Sequence, residues 1–529
     1  MKRLIKNGLV FDGSGTPGCK MDILTEDEYI IDMAPSLSAE GAEVIDATGK
    51  IVTPAFVDIH RHMDAKLLSD KTAEIELKQG IATTVVGNCG FSLAPDGGEF
   101  AAEKRANDIP ILGAYPKELN LSFPKYLEAL EKRVPELNAA AMIGLGAVRI
   151  NLNGFGAAEL STSQLEKGRA MISEALSGGA AGVSAGIMYL PEFYTKAEEY
   201  DALLAPLKGG KKPFVTHIRG EGDSMVASVK EVIDIAARAQ CPLEISHFKS
   251  CGMKNWGKDI YRAMEMIENA RAKGQDITVD FYPYIGGSTA LTTMLPPAFI
   301  KGDMPKALLR LGTKEGVEEF RKCSRTDYRD WDNYAVTLGW DRILISSAEG
   351  DNKKFIGMTV TEAAEKFGFE DDVALAAHLM HSENGRTAII NLSMDQNDVD
   401  AVARLPYSNL ISDSIYADTD NPHPRLYGAF PRFIREYVYE RKVVNLETAI
   451  MKMTSQPAKR MQIKNRGELK KGNFADILIF DPNTFRSDAS FNAPTHMGEG
   501  IDTLMVNGIV RVKNDIVIGN SSGKVLKIK

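Results

Sequence analysis

Ala55-Phe56-Val57-Asp58-Ile59-His60-Arg61-His62 is a short apolar run that ends on two histidines one residue apart. Alternate residues of an extended strand point the same way, so both imidazoles can face one metal ion. Alone, such a pair reads equally well as two ligands or as ordinary surface or core histidines. What the chain carries at its other strand ends has to decide between them.

Seven further runs have the same texture: Ala82 to Gly87, Ala141 to Ala147, Ala180 to Ala185, Phe214 to Ile218, Leu243 to Phe248, Ile277 to Tyr282 and Asn409 to Asp413. They are short, nearly continuous in apolar residues and separated by helical patterns, as buried parallel strands of a βα repeat require. Eight runs make an α/β fold of the (β/α)8 TIM-like barrel class. The interval between the seventh and eighth is too long for an ordinary loop. Its stretch Lys301 to Trp340 is rich in charge without a clear apolar period, so we expect an inserted subdomain at about residues 296–347, lying over the catalytic face.

Outside the barrel the period changes to two. Leu4 to Gly13 and Tyr29 to Met33 at one end, and Asp476 to Asp481 and Thr503 to Val510 at the other, alternate as antiparallel strands do. Residues 1–54 and 464–529 are therefore expected to build one small β-sandwich beside a barrel spanning 55–463. A chain of 529 residues is long enough for two such cores.

Composition removes several functions. A net charge of −8 argues against binding a phosphate backbone, so nucleic acid is not an expected partner. The apolar stretch near Ala139 to Val148 is too short to span a membrane and is broken by glycines. Met1-Lys2-Arg3 is not followed by the apolar segment of a secretory signal. Five cysteines without paired spacing are the usage of a reducing compartment, and a cytoplasmic enzyme acting on a small molecule is the expectation.

Of eight histidines, four fall at expected strand ends: His60, His62, His217 and His247. Cys89 follows the second strand between glycine neighbours, and Asp413 ends the eighth. A buried free cysteine is usually inert, but a thiol beside imidazoles at a strand end is a good soft ligand for zinc. Six candidate ligands thus converge at the carboxyl end of the barrel, where this fold displays its chemistry. His378, His381 and His496 read as structural or solvated.

With these residues in view, the chain resembles the amidohydrolase superfamily and, within it, the D-aminoacylases, also called N-acyl-D-amino-acid deacylases. Val57 to His62 and Arg466 to Asp476 carry the superfamily likeness. Gly87-Asn88-Cys89-Gly90, Ser246-His247-Phe248-Lys249, Asp280-Phe281-Tyr282-Pro283-Tyr284, Gly287-Ser288-Thr289 and Pro422-His423-Pro424-Arg425 carry the likeness to the subgroup. The fourth strand lacks the lysine with which many superfamily members bridge two metals, and in D-aminoacylases a cysteine takes that place, as Cys89 would.

The resemblance implies zinc-dependent hydrolysis of N-acyl-D-amino acids. Cys89, His217 and His247 would hold a tight Zn2+, and His60, His62 and Asp413 a second site that is weak or optional. Asp413 would serve as general base and then acid. Lys249, Tyr282, Ser288 and Arg425 would hold the substrate's carboxylate. Relatives selective for acidic side chains carry an arginine after the Gly-Ser motif; Leu291 to Pro297 offers no cation, which points to a neutral or apolar side chain. Two other readings stand beside this one, a hydrolase of cyclic amides of the hydantoinase or dihydroorotase kind and a metal-free scaffold.

Overall fold

Eight parallel strands close into a ring in the computed structural model of the chain, which describes residues 1–69, 72–116, 121–328, 331–416, 419, 421–519 and 521–529. The strands are Phe56–Asp58, Ile81–Val86, Asn138–Ala141, Val183–Gly186, Phe214–His217, Leu243–Ile245, Ile277–Phe281 and Ser408–Leu410; the third continues past Met142 as Ile143–Gly144. Each pairs in parallel with the next. The ring is completed by the Asp413 amide donating to His60 O and the His62 amide to Ser414 O, both at 2.9 Å. The strands are buried almost throughout, which explains their unbroken apolar runs. Helices such as Met225–Ala239 cover the outside, with Val229, Val232, Ile233 and Ala236 turned inward at helical spacing.

Three strands end well before the sequence suggests, the sixth at Ile245 because His247 has a φ of 35°. The third stops at Gly144 and a helix, Leu145–Asn153, begins at once. The cause is the neighbouring loop: a Cβ on Gly144 would stand 2.2 Å from Gly90 O, and that same carbonyl accepts from the Ala147 amide at 3.1 Å. The eighth stops at Leu410 although Ile411 and Asp413 still bond to its neighbours, because Asp413 has a φ of 49°, incompatible with a strand.

Both chain ends meet beside the barrel in two sheets. One is four-stranded, ordered Tyr29–Ala34, Asp22–Glu26, Lys2–Lys6, Glu43–Asp46. In the other, seven-stranded, Ile51–Pro54 lies between Leu9–Val10 and Ile477–Phe480. Ile5, Ile23 and Ile30 share a core with Val52, Ile477 and Ile479.

The interval before the eighth strand holds its own core, drawn mainly from Leu291 to Ile389. Its antiparallel sheet joins Gly287–Ala290, Ala388–Asn391 and Ile343–Ser347. This unit is wider than residues 296–347. It takes in the helices Val360–Phe367 and Asp372–Ser382, and the charged stretch is itself helical at Met304–Arg310 and Lys314–Ser324.

Candidate metal centre

The candidate ligands stand on the loops that leave the ring. His60 and His62 follow the first strand, Cys89 the second, His217 ends the fifth, His247 follows the sixth and Asp413 the eighth. All six are buried. Cys89, His247 and Asp413 have φ of 52°, 35° and 49°, the left-handed region that costs an L-residue energy and that clusters at functional sites. The turn it imposes aims each side chain back over the ring's mouth.

Ligand atoms gather in three overlapping groups. Cys89 Sγ lies 3.3 Å from His60 Nε2 and 3.5 Å from His247 Nε2. Asp413 Oδ1 lies 3.4 Å from His60 Nε2 and 3.3 Å from His62 Nε2. His217 and His247 form the third group with Glu221, their ring centroids 4.4 Å apart. The cysteine is therefore nearest His60 and His247, while His217 reaches the cluster through His247.

The donors suit zinc. Both nitrogens of His217 and Nδ1 of His62 are buried with no hydrogen-bond partner, which is costly for a polar atom unless a cation or ligand takes it. Imidazole, thiolate and carboxylate together are a zinc donor set. Burial pushes the Cys89 thiol well above its ordinary range and the pKa of all four imidazoles down, so these groups are neutral until a cation offsets their desolvation. Burial alone would raise Asp413 as well, but the Arg425 guanidinium beside it outweighs burial and holds the carboxyl well below its usual range.

Two carboxylates not anticipated from the sequence support the ligands. Asp280 accepts from the His247 amide and lies 3.3 Å from His60 Nδ1. Glu221 Oε1 lies 3.0 Å from His247 Nδ1. Carboxylates in this position fix the tautomer and orientation of a ligating histidine. Asp280 ends a strand and could have been suspected; Glu221 sits in a loop, and only its spacing of four from His217 hints at it.

The groups expected to hold a carboxylate differ in availability. Lys249 Nζ is already engaged by Glu221 Oε1 at 2.5 Å, His247 O at 2.8 Å and His247 Nδ1 at 2.7 Å. Arg425 is 1 % exposed and its Nη1 touches Asp413 Oδ2 at 2.9 Å, yet none of its N–H groups is directed at an acceptor. Its position is secured from behind, where His423 Nδ1 accepts from the Arg425 amide at 3.1 Å and His423 Nε2 meets Gly286 O at 2.8 Å. The Tyr282 ring lies 4.5 Å below the guanidinium, and its buried hydroxyl has no partner. Ser288 lines the same cleft from the inserted sheet.

The cleft among these residues holds only about 30 Å³ of free space, roofed by Tyr334 and Asn391 of the inserted unit. A larger hollow of about 950 Å³ lies at the opposite end of the barrel, between the strand starts near Leu243 and Ile277 and the loop at Arg466. It contains none of the clustered donors, and the chemistry belongs to the smaller space. Among the described residues no helix is long and apolar enough to cross a membrane.

Comparison with known proteins agrees with this geometry. The profile described as "Amidohydrolase family" matches residues 43–331 and 355–510. The D-aminoacylase of Alcaligenes xylosoxydans xylosoxydans is 30 % identical over 526 residues, 99 % of this chain and 97 % of that one. The N-acyl-D-glutamate deacylase of the same organism is 31 % identical over 508 residues, 96 % and 92 % of the two chains. The crystal structure of the N-acyl-D-glutamate deacylase from Bordetella bronchiseptica, complexed with zinc and a phosphonate mimic of the tetrahedral intermediate, superposes with a TM-score of 0.84 at 29 % identity and covers 99 % of both chains.

Proposed function

The chain belongs to the amidohydrolase family, and from that premise we propose that it is a zinc-dependent hydrolase of N-acyl-D-amino acids, releasing a carboxylate and a free D-amino acid with a neutral or apolar side chain. The observation that carries this reading is Arg425. A buried guanidinium with unspent donors, beside a cluster of metal-ligand type, fits a linear substrate with a free carboxylate and has no counterpart on a neutral cyclic imide. The full-length relatives named D-aminoacylase and N-acyl-D-glutamate deacylase support it. The five cysteines, free in the structure, support a cytoplasmic setting.

Cys89, His217 and His247 would hold one ion tightly, with His60, His62 and Asp413 as a weaker or optional second site. Zinc bound there supplies Lewis-acid polarisation of the amide carbonyl and a lowered pKa for water. The protein's own part is proton handling and placement. Asp413, kept ionised by Arg425, takes the proton of the attacking water and delivers it to the departing amine. Arg425 and the hydroxyls of Tyr282 and Ser288 hold the carboxylate; burial raises Tyr282 above its ordinary range, so it stays a donor. Lys249 acts from behind, joining Glu221 to His247. A substrate carboxylate that draws Arg425 away from Asp413 also makes Asp413 a stronger base.

Zinc analysis of the purified chain, with hydrolysis measured on paired D and L N-acyl amino acids, tests the reading. We expect bound zinc and turnover confined to the D series. Turnover of L substrates alone, or of neutral cyclic imides in preference to both, would defeat it.

A further inference from the structure

The cleft shares a wall with a second space. Phe91, Ile111, Tyr189 and Thr289 line both it and a neighbouring cavity of about 350 Å³. Beyond that wall the cavity is bounded largely by apolar atoms, among them Pro110, Met304 and Leu308, and by Ala102 and Ala106, one turn apart on the helix Ala101–Leu112. The two alanines leave the space open. An apolar cavity of about 150 Å³ already binds benzene, and at roughly 30 Å³ for each water-sized group this one has room for on the order of ten methylenes.

Position gives the cavity a use. Its wall touches the metal centre: the Phe91 ring lies 6.3 Å from that of His62, and the Tyr189 ring 4.9 Å from that of His217. Arg425 and Tyr282 line the cleft but not the cavity. In an N-acyl amino acid the carboxylate lies on the nitrogen side of the amide and the acyl chain on the carbonyl side. A substrate anchored through Arg425, with its amide among the clustered ligands, sends its acyl chain toward Phe91 and Tyr189.

We propose that this cavity receives the acyl chain, and that the preferred substrates carry an unbranched fatty acyl group of medium length. The proposal rests on the deacylase reading and requires one side chain of the shared wall to turn aside. Each methylene moved from water into the cavity contributes a factor of about 3–4 in binding.

The test uses the zinc-loaded full chain and acetyl, butanoyl, hexanoyl and octanoyl derivatives of one D-amino acid. We expect kcat/KM to rise by about 3–4-fold per methylene, more than 100-fold from acetyl to octanoyl. Ala106→Trp, a change at an exposed helix position, should cut the octanoyl-to-acetyl ratio at least 10-fold; Ala102→Trp repeats the test should the first variant lose zinc or its circular dichroism. Binding of 1-octanol, followed by calorimetry, reports on the cavity without turnover and should weaken in both variants. A flat chain-length series without octanol binding overturns the proposal, as does a steep one that neither tryptophan alters. Octanol binding sensitive to both substitutions, with no hydrolysis of any N-acyl amino acid, keeps the cavity as an acyl-type site and refutes the deacylase reading instead.

Discussion

Arg425 holds a full charge at 1 % exposure against a single carboxylate contact. A guanidinium has five donors, and desolvating them without acceptors is expensive. That cost is recovered when an anion arrives, so Arg425→Met should leave zinc content unchanged and lower kcat/KM on N-acyl amino acids by roughly 100-fold, the consequence of losing a charge-assisted contact worth about 2–5 kcal/mol. The corresponding substrate amides should suffer much less, and equal losses on acid and amide would show that the residue supports its loop only. Asp413 is tested by removing its charge while keeping its shape. Asp413→Asn should retain zinc in the Cys89, His217 and His247 set yet lose turnover by about 100-fold or more, since a carboxamide cannot carry the proton; wild-type kcat in a zinc-replete variant would exclude it from proton transfer.

At the scale of elements, the turn after each strand matters more than the strand. Glu192, in the short helical turn Glu192–Tyr194, is buried behind the Cys89 loop and accepts from the Gly186 amide at 3.0 Å, while its second oxygen has no partner. Burial pushes its carboxyl up to about 8. The folded protein therefore binds a proton there that the unfolded chain releases near its ordinary pKa of about 4.3, and the stability this contributes falls as pH rises between those values. Glu192→Gln keeps the shape without the proton. Thermal unfolding from pH 5 to pH 8 should show the wild type losing ground to the variant, by about 3 kcal/mol near pH 7 at about 1.36 kcal/mol per unit; parallel curves would mean that the carboxyl is ionised in the folded state. This level also divides what the sequence reveals from what it conceals. The eight apolar runs are legible because burial on both faces removes polar alternation, and His60, His62, His217 and His247 because they stand at the ends of those runs. Glu221 is not legible, since a loop glutamate has no periodicity to mark it. The end of the third strand at Gly144 depends on a carbonyl from the Gly90 loop more than fifty positions earlier, and no local pattern records that approach.

For the whole molecule, the metal centre lies on the seam of the barrel. The first and eighth strands are joined through the backbone of His60, His62, Asp413 and Ser414, so an ion held by His60, His62 and Asp413 would also tie the ring shut, while one held by Cys89, His217 and His247 would link the second, fifth and sixth strands. Removing zinc with a chelator should lower the unfolding temperature, by about 4 °C if the metal stands at about a thousand times its dissociation constant. An unchanged melting curve after verified metal loss would show that the seam holds without it. The same seam has a consequence for biosynthesis. About 350 residues separate His60 from Asp413, and at about 5–20 residues per second a ribosome needs roughly 20–70 s to make them. Throughout that interval the nascent chain presents His60 and His62 without the Asp413 that completes their group, and no partial product can close the seam as the finished enzyme does.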